Sequence, residues 1–370
     1  MSTEEPVAVE KHICSSCGGP LSFAPGTTSM QCPFCGRLEA FEATLIKVAP
    51  VESDYEGALS FLEEDAATAP LLDSNVVNCQ KCGAATAVGA EVLAEYCPFC
   101  GASISALSAV HASIAKPQYL MPFAFDNKAA SGYFSQWVKK LWLAPSKLKK
   151  QSGQSKFSGV YLPFYTFDSD TGITYAGKRG VYYYTTRTYR VTENGKQVFR
   201  TESVRNTRWD DVSGEVDHFF DDVLVPVTKS LDRKKLNALE PWALDGLVPF
   251  NEKYLQGFRA EVSTFSLRQG FSFVQQEIEE MVDVLVKNDI GGNEQRVTST
   301  NISYTNIRYK SILLPVWLST YTFKDKFYRF MINATTGEVI GERPYSWIKI
   351  TFVVLVAVAL LWGIIEKFII

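Results

Sequence analysis

The chain has 370 residues, with 37 lysines and arginines against 40 acids, a net charge of −3, and only three histidines. The balance is uneven: residues 1–115 carry four basic against fourteen acidic side chains, a net of −10, and residues 116–370 carry 33 against 26, a net of +7. An acid excess of that size at the head is the wrong sign for gripping phosphates, so nucleic acid is not the expected partner.

All eight cysteines fall in this acidic head, as Cys14, Cys17, Cys32 and Cys35, then Cys79, Cys82, Cys97 and Cys100. Each quartet is CxxC, fourteen residues, CxxC, and the pentapeptide CPFCG recurs 65 residues on, at Cys32 and at Cys97. A CxxC turn sets two thiolates on one side of a tight loop, and Gly18, Gly36, Gly83 and Gly101 let its amides face the sulfurs. Two such knuckles supply four soft ligands in a closed tetrahedral site, so the spacing predicts two structural zinc ribbons. Iron in a rubredoxin-like site uses the same ligands and stays open as an alternative. A disulfide framework needs an oxidising compartment, and residues 1–50 contain no apolar signal core; redox CxxC pairs sit at the helix start of a thioredoxin-like unit, not in matched turn-rich pairs. His12 is read as a bystander, because four thiolates already fill the site. Each ribbon has too few apolar residues to fold unaided, so metal is expected to supply stability on the order of 10 to 16 kcal/mol. A site with no open position is unsuited to catalysis.

The reading divides the chain into ribbon 1 over 1–50, an acidic connector over 51–73, ribbon 2 over 74–106, an α+β body over 107–344 and a tail over 345–370. Residues 101–116 read as a small-residue linker. Asp126 to Leu143 reads as an amphipathic helix with Asp126 as N-cap and Pro145 as stop. Residues 160–220 alternate as strands around the turn signal Asn194-Gly195. Helices are expected over 230–239 and 264–288, the second stopped by Gly291-Gly292, and strands follow in VTSTNISYTNIRY, ILLPVWLSTYTF, KFYRFMIN and GEVIGER. The order implies an antiparallel sheet with helices. YLPFYTFD at 161 and LLPVWLSTYTF at 313 faintly echo one another.

No catalytic constellation appears, and the chain is not expected to be an enzyme. GITYAGKR (172–179) misses the phosphate-loop pattern because Arg179 stands where a hydroxyl should hold magnesium, and a strand follows where a helix is needed; it reads as a turn. His12, His111 and His218 form no metal motif. Asp210, Asp211, Asp217, Asp221 and Asp222 read as solvated turn residues, with a carboxylate pair for a membrane enzyme as the alternative. Lys128, Lys139, Lys140, Lys147, Lys149, Lys150 and Lys156, interleaved with Trp137 and Trp142, form a basic stretch that reads as a solvated helix face and also suits the anionic surface of a lipid bilayer.

The tail, from Trp347 to Ile370, is read as a transmembrane anchor, with Lys349, Glu366 and Lys367 reaching for the head groups. That reading gives a tail-anchored, single-pass protein of the cell membrane with its N-terminal bulk facing the cytoplasm, where thiols stay reduced for metal.

The runs GVYLPFYTFDSDTGITYAG, WDDVSGEVDHFFDDVLVPVTKSLD, LEPWALDGLVPFNEKYLQGFRAE and ILLPVWLSTYTF with INATTGEVIGERPYSWIKI resemble the YdjG-like bacterial membrane proteins with TFIIB-type zinc-ribbon heads. Members are often labelled primosomal helicases, a label that the defective phosphate motif argues against. The resemblance implies company with membrane-stress proteins of the phage-shock (PspA-like) and SPFH types, hence a recruiting or scaffolding role, and it brings no catalytic residues. The expected function is a membrane-anchored zinc-ribbon adaptor that recruits cytoplasmic partner proteins; a membrane-tethered nucleic-acid-binding ribbon protein is the alternative.

Overall fold

The structure, a computed structural model, describes residues 12–41, 50–64, 71–88, 94–105, 109–146, 157–193, 196–323, 326–343 and 345–369. Ribbon 1 is a three-stranded antiparallel sheet of β1 (Ser22–Phe23), β2 (Ser29–Gln31) and β3 (Leu38–Ala40). The connector holds β4 (Ser53–Asp54) and helix α1 (Tyr55–Glu64). Ribbon 2 follows as β5 (Leu71–Asn78), β6 (Ala85–Val88) and the hairpin β7 (Ala94–Tyr96) with β8 (Ser103–Ser105). Residues 101–116, expected as a linker, instead contain β8 and β9 (Val110–Ala115).

β10 (Tyr119–Leu120) precedes α2 (Asn127–Lys140), whose N-cap Asp126 accepts from the Ala129 N–H at 2.9 Å. The short polar cap side chain satisfies an orphan helix donor, and Ala130, Phe134 and Val138 form the buried stripe. Two very long strands come next, β11 (Ser158–Glu193) and β12 (Lys196–Pro226). The expected helix over 230–239 shrinks to α3 (Arg233–Asn237). After β13 (Val248–Pro249) and β14 (Arg259–Glu261), helix α4 (Leu267–Ile290) opens on a Ser266/Gln269 capping box and ends at Gly291, where φ is +64°. β15 (Glu294–Phe323), β16 (Lys326–Asn333), β17 (Val339–Gly341) and α5 (Trp347–Ile369) complete the chain.

The body is mostly sheet. β11 lies between β12 and β15, antiparallel to both, and the sheet continues through β14, β6, β5 and β9 on one side and β10 and β13 on the other. The two echoing segments are neighbours in it, with Tyr161 opposite Pro315 and Pro163 opposite Leu313. GITYAGKR is the middle of β11, paired on both sides, so the expected turn is corrected to a central strand. The five aspartates likewise lie along β12. Beyond Gly180, opposite the start of β15, β11 and β12 run on as a two-stranded hairpin. Its turn signal Asn194-Gly195, and Lys147, Lys149, Lys150 and Lys156 of the basic stretch, lie outside the described residues.

Side-chain alternation across the sheet sets the core. On one face Tyr161, Leu313, Trp317, Phe330 and Ile332 pack with α2 and with Cys14, Phe23, Met30 and Cys32 of ribbon 1. On the opposite parity Val160, Leu162, Phe164, Ile312, Leu314, Val316, Leu318 and Met331 pack with Leu236 of α3 and with Cys79, Cys97, Phe99 and Cys100 of ribbon 2. Successive strand residues point to opposite faces, so the two ribbons brace opposite sides of one sheet. A sheet buried on both faces reads as an unbroken apolar run, as ILLPVWL does. α4 covers the far part of the sheet through Val274, Ile278, Val282 and Val286.

The transmembrane anchor expected over 345–370 is corrected. Among the described residues no helix is long and apolar enough to cross a membrane. The uncharged stretch of α5 between Lys349 and Glu366 is sixteen residues, about 24 Å of helix against roughly 30 Å of hydrocarbon. Lys349 does not reach toward head groups; its Nζ donates to the Trp142 and Ala144 carbonyls at 3.2 and 2.7 Å, tying the start of α5 to the segment after α2. The single-pass cell-membrane localisation built on that anchor falls with it.

Candidate metal centres

Each quartet is assembled by the same turn made twice. In ribbon 1 the Cys14 N–H donates to Gly19 O (2.8 Å) and the Gly18 N–H to Cys14 O (2.9 Å); the Cys32 and Gly36 amides repeat this at 2.9 and 3.0 Å. In ribbon 2 the Cys79, Gly83, Cys97 and Gly101 amides do the same at 2.7 to 2.9 Å. Gly18, Gly36, Gly83 and Gly101 all have φ between +70° and +76°. A β-carbon is strained there, which is why the fourth position after the first cysteine is glycine in every knuckle.

The turns bring together all eight predicted ligands in two groups of four, each with its sulfurs within 4.8 Å of one another. Cys14 Sγ lies 3.6 Å from Cys35 Sγ, and Cys17 Sγ 3.4 Å from Cys32 Sγ. In ribbon 2 the corresponding distances are 3.5 Å for Cys79 and Cys100 and 3.6 Å for Cys82 and Cys97. A tetrahedron with metal–sulfur bonds of about 2.3 Å has edges of about 3.8 Å, close to these values, whereas a disulfide needs about 2.05 Å. Both groups can therefore hold a metal ion.

Electrostatics point the same way. The Cys35 N–H, then that of Phe34, lowers the Cys32 thiol to about 7. Burial opposes ionisation of Cys79, but the Cys82 and Lys81 amides outweigh it and bring it to about 7. Cys17 goes the other way: the Gly19 amide favours its thiolate, yet hydrogen bonding to Cys32 and Cys35 pushes it up to about 12. Burial raises Cys82 to about 11. Four sulfurs this close resist ionising together unless a cation sits among them.

The two sites differ in depth. Cys17 and Cys35 of ribbon 1 are exposed, whereas every sulfur residue of ribbon 2 is buried or half-buried. The shared pentapeptide shows the contrast most sharply: Phe34 is 75% exposed and Phe99 is 1% exposed.

The aspartates of WDDVSGEVDHFFDD are not gathered into one site. Asp211 pairs with Lys178 at 2.8 Å and Asp210 with Arg208 at 3.4 Å, both on the surface. Asp222 alone joins a buried network that sequence reasoning missed. There Lys310 Nζ lies 2.6 Å from Asp222 and 2.9 Å from Glu52, and the Asp222 N–H donates to Asp168 Oδ1 at 2.7 Å. Burial, and then a hydrogen bond with the Glu52 carboxyl, raises Asp168 to about 7. The signal was a lone charge inside an apolar strand, as in FYTFD and YKSILL.

No known protein-family description matches the chain, and no solved structure matches it. Over 371 residues it is 26% identical to a Bacillus subtilis (strain 168) protein described as "Uncharacterized protein YdjG", a match that covers 95% of this chain and 97% of that protein. The chain is thus a distant homologue of YdjG that carries two four-cysteine groups compatible with zinc ribbons.

Proposed function

We propose that the protein is an adaptor whose two structural zinc ribbons are fixed on opposite faces of a sheet, ribbon 1 serving as the contact surface for a protein partner. Four-thiolate donor sets with tetrahedral sulfur spacing support zinc, and a site whose ligands are all cysteines has no coordination position left for chemistry. The carrying observation is the unequal fate of one pentapeptide: Phe99 is spent inside the core, while Phe34 stands in solvent on a knuckle that metal would hold rigid. Ile13 and Leu38 of the same ribbon are also exposed. Large apolar side chains presented on a stiff scaffold are the usual anchors of protein interfaces. Membrane-stress proteins of the phage-shock and SPFH types are the candidates the family resemblance supplies.

The test is affinity capture of the full chain from its native host with quantitative mass spectrometry, in parallel with elemental analysis. The expected result is about two zinc ions per chain and a defined partner set that Phe34→Asp removes while zinc content is unchanged. Unchanged capture after both Phe34→Asp and replacement of the ribbon 1 cysteines by serine would overturn the reading.

A further inference from the structure

Past Gly180 the chain leaves the rest of the sheet as a two-stranded arm, residues 181–193 of β11 paired in unbroken register with 196–208 of β12. At about 3.3 Å per residue the arm is about 43 Å long. The acid excess of the head does not reach it, since residues 181–208 carry six lysines and arginines against two glutamates.

Directly opposed residues share a face and successive residues alternate, so the arm has two faces of different chemistry. One holds Val181, Val191, Val198 and Val204 together with Glu202. The other is built from the even positions of β11 and the odd positions of β12 between 182 and 207, and it contains neither an acid nor an aliphatic side chain. It carries Tyr182, Tyr184, Arg190, Phe199 and Arg205, and its other positions are threonine, serine or glutamine. Tyr184 and Phe199 are 67% and 65% exposed.

The arginines of this face lie against its rings. Arg205 Cζ is 4.4 Å from the centre of the Tyr182 ring, and Arg190 Cζ is 5.1 Å from that of Phe199. The pattern begins at the base of the arm, where Arg296 of β15 lies 4.0 Å from the Trp209 ring and Glu294 accepts from the Tyr182 hydroxyl. Arg296 stands opposite Lys178, Arg205 opposite Tyr184, and Phe199 opposite Arg190. Cation and ring therefore recur every six residues of β11, about 20 Å. Stacking on a ring holds a guanidinium flat and leaves its edge N–H groups for an anion.

We infer that this face binds single-stranded nucleic acid, its arginines and hydroxyls taking phosphates and its exposed rings taking unpaired bases. Phosphates call for cations and neutral donors with no acid among them. Bases call for π faces, and stacking on aromatic side chains tolerates any sequence. A lipid surface calls for aliphatic side chains beside the cations, and here the aliphatic side chains occupy the opposite face, with Glu202. None of these groups is a cysteine or belongs to ribbon 1, so failure of this inference leaves the adaptor reading standing.

Fluorescence anisotropy of the full-length protein with a labelled twenty-residue oligothymidylate, an abasic strand of the same length and the matching duplex tests the inference. The expected result is saturable binding at low salt, at least tenfold tighter for the oligothymidylate than for the abasic strand or the duplex. An oligouridylate titrated alongside tells RNA from DNA, and saturable binding of neither would overturn the inference. Tyr184→Ala and Phe199→Ala should each weaken the oligothymidylate about tenfold and leave the abasic strand unchanged. Arg190→Gln combined with Arg205→Gln removes two phosphate contacts, so the slope of log affinity against log salt should become shallower by about 1.4. Arg187→Gln, on the valine face, should leave that slope unchanged. Equal affinity for the oligothymidylate and the abasic strand, or an unchanged slope in the double variant, would overturn the inference. Binding of phosphatidylserine vesicles without binding of either oligonucleotide would overturn it in favour of a lipid surface. Should a variant unravel the arm, the preference of the unaltered chain for the oligothymidylate over the abasic strand still decides.

Discussion

Replacing Phe99 by alanine should cost far more than the same change at Phe34, though both lie in the sequence CPFCG. Phe99 is 1% exposed and packs with Leu162, Phe164 and Ile312 of the central strands. A phenylalanine buries at least about 150 Å²; at roughly 25 cal/mol per Å² its transfer is worth about 4 kcal/mol, in line with about 3 to 5 kcal/mol for buried Phe→Ala changes. Phe34 is 75% exposed, so its removal forfeits little burial and should stay within about 0.5 kcal/mol. Guanidinium unfolding followed by far-ultraviolet circular dichroism gives both numbers, with zinc content measured in parallel so that loss of metal is not mistaken for loss of packing. Equal costs at the two positions, or a larger cost at Phe34, would show that ribbon 2 does not dock on the sheet as described.

The remaining expectations test other parts of the structure. Cys17→Ser and Cys82→Ser should each lower zinc by about one ion per chain, since each removes one ligand of a different quartet; elemental analysis that finds two ions in either variant would contradict the assignment. Asp168 and Glu261 both have carboxyls raised to about 7, above the unfolded range near 4, so the stability that each contributes is complete below about pH 4 and is lost as pH rises through about 7. Asp168→Asn keeps the acceptor for the Asp222 N–H and a donor toward Glu52, so it should flatten that decline in urea titrations between pH 5 and 8, and a decline of unchanged slope would refute the assignment. Along α4, Ile278→Ala, at a fully buried position, should cost about 2 to 5 kcal/mol, whereas Val284→Ala, on the exposed face, should cost less than about 0.5 kcal/mol in the same denaturation assay.

The residues by themselves determined whatever depends on short-range chemistry. The eight ligands, their grouping and the glycines that turn each knuckle follow from CxxC spacing, because a metal site made of two tight turns is local. Helix α2 with its Asp126 cap, and α4 ending at Gly291, are legible for the same reason: cap, periodicity and stop lie within one element. Tertiary structure decided everything that depends on what an element meets. GITYAGKR and the aspartates of β12 look like turns because glycine and aspartate usually mark them, yet pairing with neighbours distant in sequence makes them strand. The tail is apolar enough to form a helix, but its sixteen uncharged residues and the anchoring of Lys349 on the Trp142 and Ala144 carbonyls do not make it a membrane span. Glu261 and Asp168 are ordinary acids in the sequence, and only burial against β6, β15 and their neighbours gives them unusual protonation. The duplicated CPFCG is the clearest case: identical residues fold into identical knuckles, and the opposite faces of the sheet then bury one phenylalanine and expose the other, because burial belongs to the surface an element lands on and not to the element.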